Sequence, residues 1–126
     1  MSSELPTQTP TSFVKAAVLG AAGYSGAELC ALLTRNPYFE LCFAYASAGR
    51  KAEPFSSLYP RFQQQVNVLV EPWTDDEIAR ITGKVDVAFL ALPHEASEEV
   101  APKLMAAGIV VVDLSGAFRL KQPDLY

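Results

Sequence analysis

"LGAAGYSGAEL", residues 19 to 29, sets Gly20, Gly23 and Gly26 at intervals of three. Before it runs Val14 to Leu19 (VKAAVL), apolar except for Lys15, which reads as a strand buried on both faces. After it, Leu29, Leu32 and Leu33 recur at helical spacing until Asn36-Pro37 stops them. Ser25 and Glu28 have the spacing of a capping box for a helix that opens there. The order is strand, tight turn, helix. Such a turn aims backbone N–H groups outward at the positive end of a helix dipole and lacks Cβ atoms that would hold an anion away. It therefore suits a diphosphate. Close packing of a helix on a strand also favours glycine, so a purely structural turn is the rival reading. The flanking elements favour a dinucleotide cradle formed by Gly20, Ala22, Gly23, Tyr24, Ser25 and Gly26.

The pattern repeats along the chain. Leu41 to Ala46 (LCFAYA) reads as a second buried strand and completes a right-handed βαβ unit. Ser47 to Gln65, with Gly49, Pro54 and Pro60, reads as a long loop on the ligand side. Val66 to Val70 suggests a minor strand, and Asp75 to Ile81 a short helix behind a Thr74 cap. Val85 to Leu92 is a clear strand, and Glu95 to Ala107 a helix stopped by Gly108. Pro102 deletes a backbone bond inside that helix, which predicts a kink or two short turns. Ile109 to Val112 is a β-branched strand ending at Asp113. Alternating strands and helices predict an α/β fold, a doubly wound parallel sheet of the Rossmann type over residues 13–126, behind a flexible tail at 1–12. Ligands of such sheets bind beyond the carboxyl ends of the strands. The segments that matter are then Gly20 to Gly26, Ser47 to Lys51, Pro93 to Ser97 and Leu114 to Arg119.

Composition narrows the function. Half of the 126 residues are hydrophobic, enough for a real core, and the net charge of −4 carries no basic stripe for a nucleic-acid backbone. No apolar run approaches the roughly 20 residues of a membrane span. The opening MSSELPTQTPTS lacks Lys and Arg, unlike a signal or transit peptide, so a cytoplasmic protein is expected. Cys30, Cys42 and the single His94 do not form a metal set, and the cysteines read as small buried hydrophobes. The second strand ends in Ala46-Ser47-Ala48-Gly49-Arg50-Lys51, where a site preferring NAD would place a carboxylate for the ribose 2′-hydroxyl. A hydroxyl and two cations suit a 2′-phosphate instead, so the expected cofactor is NADP, held through Ser47, Arg50 and Lys51. The rival is a solvated basic pair on a loop.

Three segments carry a family resemblance. GAAGYSGAEL, LPHEAS (Leu92 to Ser97) and DLSGAFRL (Asp113 to Leu120), in this order, resemble the amino-terminal domain of the N-acetyl-gamma-glutamyl-phosphate reductases. DLSGAFRL after the last strand is the most specific of the three. The resemblance implies NADPH-dependent reduction of an acyl phosphate to an aldehyde with release of phosphate. In that family a cysteine thiolate forms a thioester, which accepts the hydride. The motif bearing that cysteine lies downstream of DLSGAFRL, and neither Cys30 nor Cys42 has its neighbours. No catalytic residue is therefore expected in this chain, with the nucleophile beyond Tyr126 and the domain incomplete at its C-terminal end. Leu92, Pro93 and His94 are expected along the cofactor cleft, although His94 also admits a catalytic or a structural role. Ser97 would cap the following helix or donate to the cofactor. Ser115, Gly116 and Arg119 are expected on the substrate side, where Arg119 either clamps a phosphate or pairs with Asp113 or Asp124. The full-length protein is expected to be a homo-oligomer acting on a small acyl phosphate, with no metal, nucleic acid or membrane involved. Two alternatives stay open: a non-catalytic NADP-sensing module, and a reductase of the homologous aminoadipyl phosphate.

Overall fold

The computed structural model describes residues 13–47, 52–54 and 68–114. In chain order these form β1 (Val14–Leu19), α1 (Tyr24–Arg35), β2 (Phe39–Ala46), β3 (Glu53–Pro54), β4 (Leu69–Pro72), α2 (Asp76–Ile81), β5 (Val87–Leu90), α3 (His94–Ala106) and β6 (Val110–Asp113). The strands make one sheet in the order β3-β4-β2-β1-β5-β6. Every pairing is parallel except that of the two-residue β3 with β4. From β1 the chain moves outward through β2 to β4, then returns across β1 to lay down β5 and β6. The reversal of direction lies between β1 and β5, and a crevice opens there at the carboxyl ends of the strands.

Each face of the sheet has its own core. Ala16 and Val18 of β1 pack with Ala27, Cys30, Ala31 and Leu33 of α1. Their neighbours Ala17 and Leu19 pack on the opposite face with Tyr45, Ile81, Val100 and Leu104, beneath α2 and α3. Alternation of side chains along the central strand thus supplies both cores. Val14 and Lys15 are exposed, so only the last four residues of β1 are buried on both faces. Asp86 secures the lower end of β5: its carboxylate accepts from the Lys15 N–H at 2.9 Å, and its own N–H donates to the Lys15 carbonyl at 2.7 Å.

Several local expectations change. Helix α1 opens at Tyr24 with Gly23 as N-cap, so Ser25 already lies inside the helix and the Ser25/Glu28 capping box is not formed. Thr74 lends no side-chain cap to α2; its carbonyl instead accepts from the Glu77 N–H at 2.9 Å. The minor strand is Leu69–Pro72, not 66–70, because its register is set by pairing Val70 with Ala44 and Pro72 with Ala46. Pro102 sits inside a single uninterrupted α3. It lies on the exposed side of the helix, while Ala101 and Leu104 are buried against the sheet. That packing spans the lost bond and removes the expected pair of short turns. The tail over 1–12 and most of the loop over 47–65 lie outside the described residues.

The glycine turn holds these layers together. Gly20 has φ +98°, and a Cβ on it would stand 2.2 Å from the carbonyl oxygen of Ala91. A Cβ on Gly26 would stand 2.0 Å from the carbonyl oxygen of Gly20. Both contacts are backbone, so neither can yield without moving an element. We expect Gly26→Ala to destabilise the chain by about 3 kcal/mol or more through overpacking. Denaturant unfolding checks this, and a loss below about 1 kcal/mol would show that α1 can lift off β1 cheaply.

Candidate functional site

The turn is fixed on three sides. The N–H groups of Gly20 and Ala21 both donate to the Tyr45 carbonyl, at 2.8 and 2.9 Å, tying the end of β1 to β2. On the other side Ala91 N–H donates to the Leu19 carbonyl at 2.8 Å. Gly23 N–H closes the turn on the Gly20 carbonyl at 3.1 Å, and the first bond into α1 runs from Ala27 N–H to the Gly23 carbonyl at 2.9 Å. The N–H groups of Ser25 and Gly26 therefore precede the helical ladder, at the positive end of a 12-residue helix.

The three glycines do different work. Gly20 and Gly26 are required by the protein's own backbone contacts. Gly23 has an ordinary extended conformation, φ −84° and ψ 168°, and a Cβ there would come no nearer than 3.6 Å to the Gly20 carbonyl oxygen. Nothing within the described structure requires it to lack a side chain. It is also exposed, so the space that its Cβ would fill is open to a ligand approaching the helix N-terminus. The turn therefore fits a diphosphate.

Beside the turn lies a cleft of about 340 Å³ on the face covered by α2 and α3. The ends of four strands meet in it: Leu19 and Gly20 after β1, Ala46 and Ser47 after β2, Trp73 and Asp75 after β4, and Leu92 and Pro93 after β5. Ala96, Glu99 and Val100 of α3 close it. The two carboxylates on its rim face Lys103, whose Nζ lies 2.6 Å from Asp75 and 3.7 Å from Glu99. A larger hollow of about 440 Å³ between α3 and β6, lined by Glu98, Ala101, Pro102, Met105, Val111 and Asp113, lies toward the β6 edge of the sheet and shares no lining residue with this cleft.

The residues singled out in the sequence divide accordingly. Gly20, Ser47, Leu92 and Pro93 line the cleft, and Ala22, Gly23, Tyr24, Ser25 and Gly26 form the adjoining turn and helix start. Tyr24 is 69% exposed beside that start. His94 is the first residue of α3, half-exposed, with Nε2 3.3 Å from Glu98 Oε2. Ser97 does not cap α3, whose N-cap is Pro93. It is instead fully buried, and its Oγ finds no partner among the described residues. Arg50, Lys51, Ser115, Gly116 and Arg119 lie outside the described residues. Trp73, Asp75, Ala96, Glu99 and Val100 are the cleft residues that sequence reading misses. Trp73 could have been found from the end of β4 had its register been legible. Among the described residues no cluster of His, Cys, Asp or Glu could hold a metal ion, and no helix is long and apolar enough to cross a membrane.

Neither cysteine is activated. Burial pushes the Cys30 thiol up to about 12, and burial, with Glu40 second, raises Cys42 as well. A nucleophilic cysteine needs the opposite shift.

Comparison with known proteins places this geometry. The family described as "Semialdehyde dehydrogenase, NAD binding domain" matches residues 15–126. An N-acetyl-gamma-glutamyl-phosphate reductase of Aeromonas salmonicida is 42% identical over 111 residues, 86% of this chain and 33% of the relative. The chain thus spans about a third of the length of the curated relatives it matches. Among solved structures, an aspartate semialdehyde dehydrogenase with NADP from Candida albicans superposes with a TM-score of 0.67 at 23% identity, over 86% of this chain and 31% of that one. GenD2 from gentamicin A biosynthesis, in complex with NAD, gives 0.61 at 23%, over 87% and 29%. At these identities the structures speak for the fold alone, a Rossmann-type α/β domain.

The buried thiol gives a test of the packing. Unfolded Cys30 ionises from its ordinary value of 9.0, whereas folded Cys30 keeps its proton to about 12. Over that window the unfolded state binds fewer protons, so stability falls as pH rises, by up to about 1.4 kcal/mol per pH unit. Burial and its bond to Glu77 raise Tyr45 also, adding to the loss at the upper end. Unfolding measured from pH 8 to 11 should show Cys30→Ala losing less stability than the parent. Parallel pH profiles would contradict burial of the thiol.

Proposed function

The chain belongs to the semialdehyde dehydrogenase family through its NAD-binding domain, and from that membership we propose that it is the cofactor-binding part of an N-acetyl-gamma-glutamyl-phosphate reductase. The full polypeptide would reduce N-acetyl-glutamyl phosphate to N-acetyl-glutamate semialdehyde and phosphate, the bound NADPH supplying the hydride. The observation that carries dinucleotide binding is Gly23, a glycine with no packing reason of its own between two that have one. The 42% identity to a reductase of that name supports the choice of reaction. Cys30 and Cys42, both raised by burial, supply no nucleophile, consistent with one provided outside these residues.

In this reading the N–H groups at the start of α1 hold the diphosphate, and Gly23, lacking a Cβ, lets it approach. Ser47, Arg50 and Lys51 receive the 2′-phosphate, and the absence of a carboxylate at the end of β2 supports NADP over NAD. Leu92, Pro93 and His94 border the cofactor along the cleft. Ser115, Gly116 and Arg119 face the acyl phosphate, a small anionic substrate that a guanidinium can grip bidentately. A cytoplasmic, homo-oligomeric full-length enzyme completes the proposal.

Calorimetric titration tests it. NADPH should bind the chain more tightly than NADH, and Arg50→Ala should weaken NADPH about tenfold while leaving NADH unchanged. Gly23→Ala should melt within a few degrees of the parent yet lose about tenfold or more in NADPH affinity. Equal affinity for the two cofactors, or an Arg50→Ala variant that discriminates as the parent does, would overturn the NADP assignment. Full affinity in Gly23→Ala would overturn the cradle.

A further inference from the structure

The cleft has one aromatic wall. Trp73 is the single tryptophan of the chain, and it lines the hollow together with Ala46, Ser47, Leu92 and Pro93. Its backbone N–H donates to the Ala46 carbonyl at 2.9 Å, which tethers it to the end of β2. Its ring meets Tyr45 edge-on, with centroids 4.9 Å apart and planes at 79°. Tyr45 is itself fully buried, and its hydroxyl donates to Glu77 Oε1 at 2.7 Å. Glu77 is held in turn by Arg80 at 3.0 Å, and Arg80 bonds Glu71 at 2.5 Å while lying over the Phe43 ring at 5.2 Å.

This chain of contacts ends on the indole. A half-buried ring fixed only through its backbone can turn about its side-chain torsions; an edge-to-face neighbour removes that freedom only if the neighbour is itself immobile. Core packing and the Glu77 bond immobilise Tyr45. Arg80, through its fork to Glu71 and Glu77, immobilises the acceptor.

The sheet order says which part of a dinucleotide meets this wall. Strands β4 and β6 lie on opposite sides of β1, and the diphosphate site proposed above lies at the end of β1. The nicotinamide must reach the substrate side, assigned to the segment after β6, so the adenosine half falls toward β4, where Trp73 stands. Adenine is the planar aromatic group at that end, and stacking is the contact that a fixed indole offers its face.

We propose that Trp73 is the stacking wall for the adenine ring of the cofactor, and that Tyr45 and Glu77 are positioning residues that fix the plane of its indole. The proposal rests on the dinucleotide reading above.

The test uses Trp73 as its own reporter. Fluorescence of the full chain is titrated with 2′,5′-ADP and with nicotinamide mononucleotide, while calorimetry follows NADPH. The expected result is quenching by 2′,5′-ADP and NADPH but not by nicotinamide mononucleotide. Trp73→Ala should lose about tenfold in calorimetric affinity for 2′,5′-ADP, and Trp73→Phe, which keeps an aromatic face and a filled site, should lose less. Glu77→Ala should change the indole emission and weaken 2′,5′-ADP several-fold. Glu77→Gln, whose amide oxygen still accepts from Tyr45, should restore most of both. NADPH binding by calorimetry without quenching, or full 2′,5′-ADP affinity in both Trp73 variants, would overturn the adenine wall and leave the dinucleotide reading standing. Glu77→Ala with unchanged emission and affinity would overturn the positioning role. No calorimetric binding of NADPH or NADH would overturn the dinucleotide reading and this inference with it.

Discussion

Three backbone segments meet at Gly20 with no room for a side chain between them. The end of β1, the start of α1 and the exit of β5 approach until the Gly20 carbonyl lies where a Gly26 Cβ would be, and the Ala91 carbonyl lies where a Gly20 Cβ would be. That contact draws α1 onto the sheet and sets its N-terminus over the end of β1. It also brings the β5 exit alongside, which is why residues from Gly20 to Pro93, far apart in sequence, border one cleft. Small residues continue the theme beneath the turn, where Ala16, Ala17, Ala21 and Ala27 are all buried. The sheet and its helices pack closely there because little side chain stands between them.

Within that contact one glycine is left without a packing role. Gly20 and Gly26 are spent on closing the fold, whereas Gly23 leaves a space on the solvent side of a helix N-terminus. The same division appears in the cleft. Its floor is apolar, from Leu19, Ala46 and Val100, while polar groups are drawn outward into pairs such as Lys103 with Asp75. On the α2 face a second set of pairs, Arg80 with Glu71 and Glu77, braces the aromatic residues of β2. An exposed ion pair of this kind contributes little to stability by itself. Its consequence here is geometric, since it holds the acceptor of a buried hydroxyl.

Much of this is legible in the sequence because period and punctuation agree. VKAAVL followed by glycines, LCFAYA, and the β-branched run before Asp113 give β1, β2 and β6, and with the intervening helices they give a doubly wound sheet. The start of α1 is misread because Ser25 and Glu28 have capping spacing, while the helix that packs Gly26 against Gly20 has Gly23 as its N-cap and begins two residues earlier, at Tyr24. β4 is misplaced because a four-residue edge-side strand has too little pattern to fix register, which pairing with Ala44 to Ala46 decides instead. That error hides Trp73, whose place in the cleft follows from where β4 ends. Pro102 misleads in the opposite direction, since tertiary packing of Ala101 and Leu104 carries the helix past it. The glycine spacing points to the turn, but only the structure separates the glycine with no packing reason of its own from the two that the fold needs.

Amide chemical shifts of the full chain during titration with NADPH test the central claim most directly. The account predicts that the backbone amides of Gly23, Tyr24, Ser25 and Gly26 move first and farthest, joined by Ser47 and Trp73 across the cleft. Shifts concentrated in the hollow between α3 and β6, with the amides of the glycine turn unmoved, would contradict it.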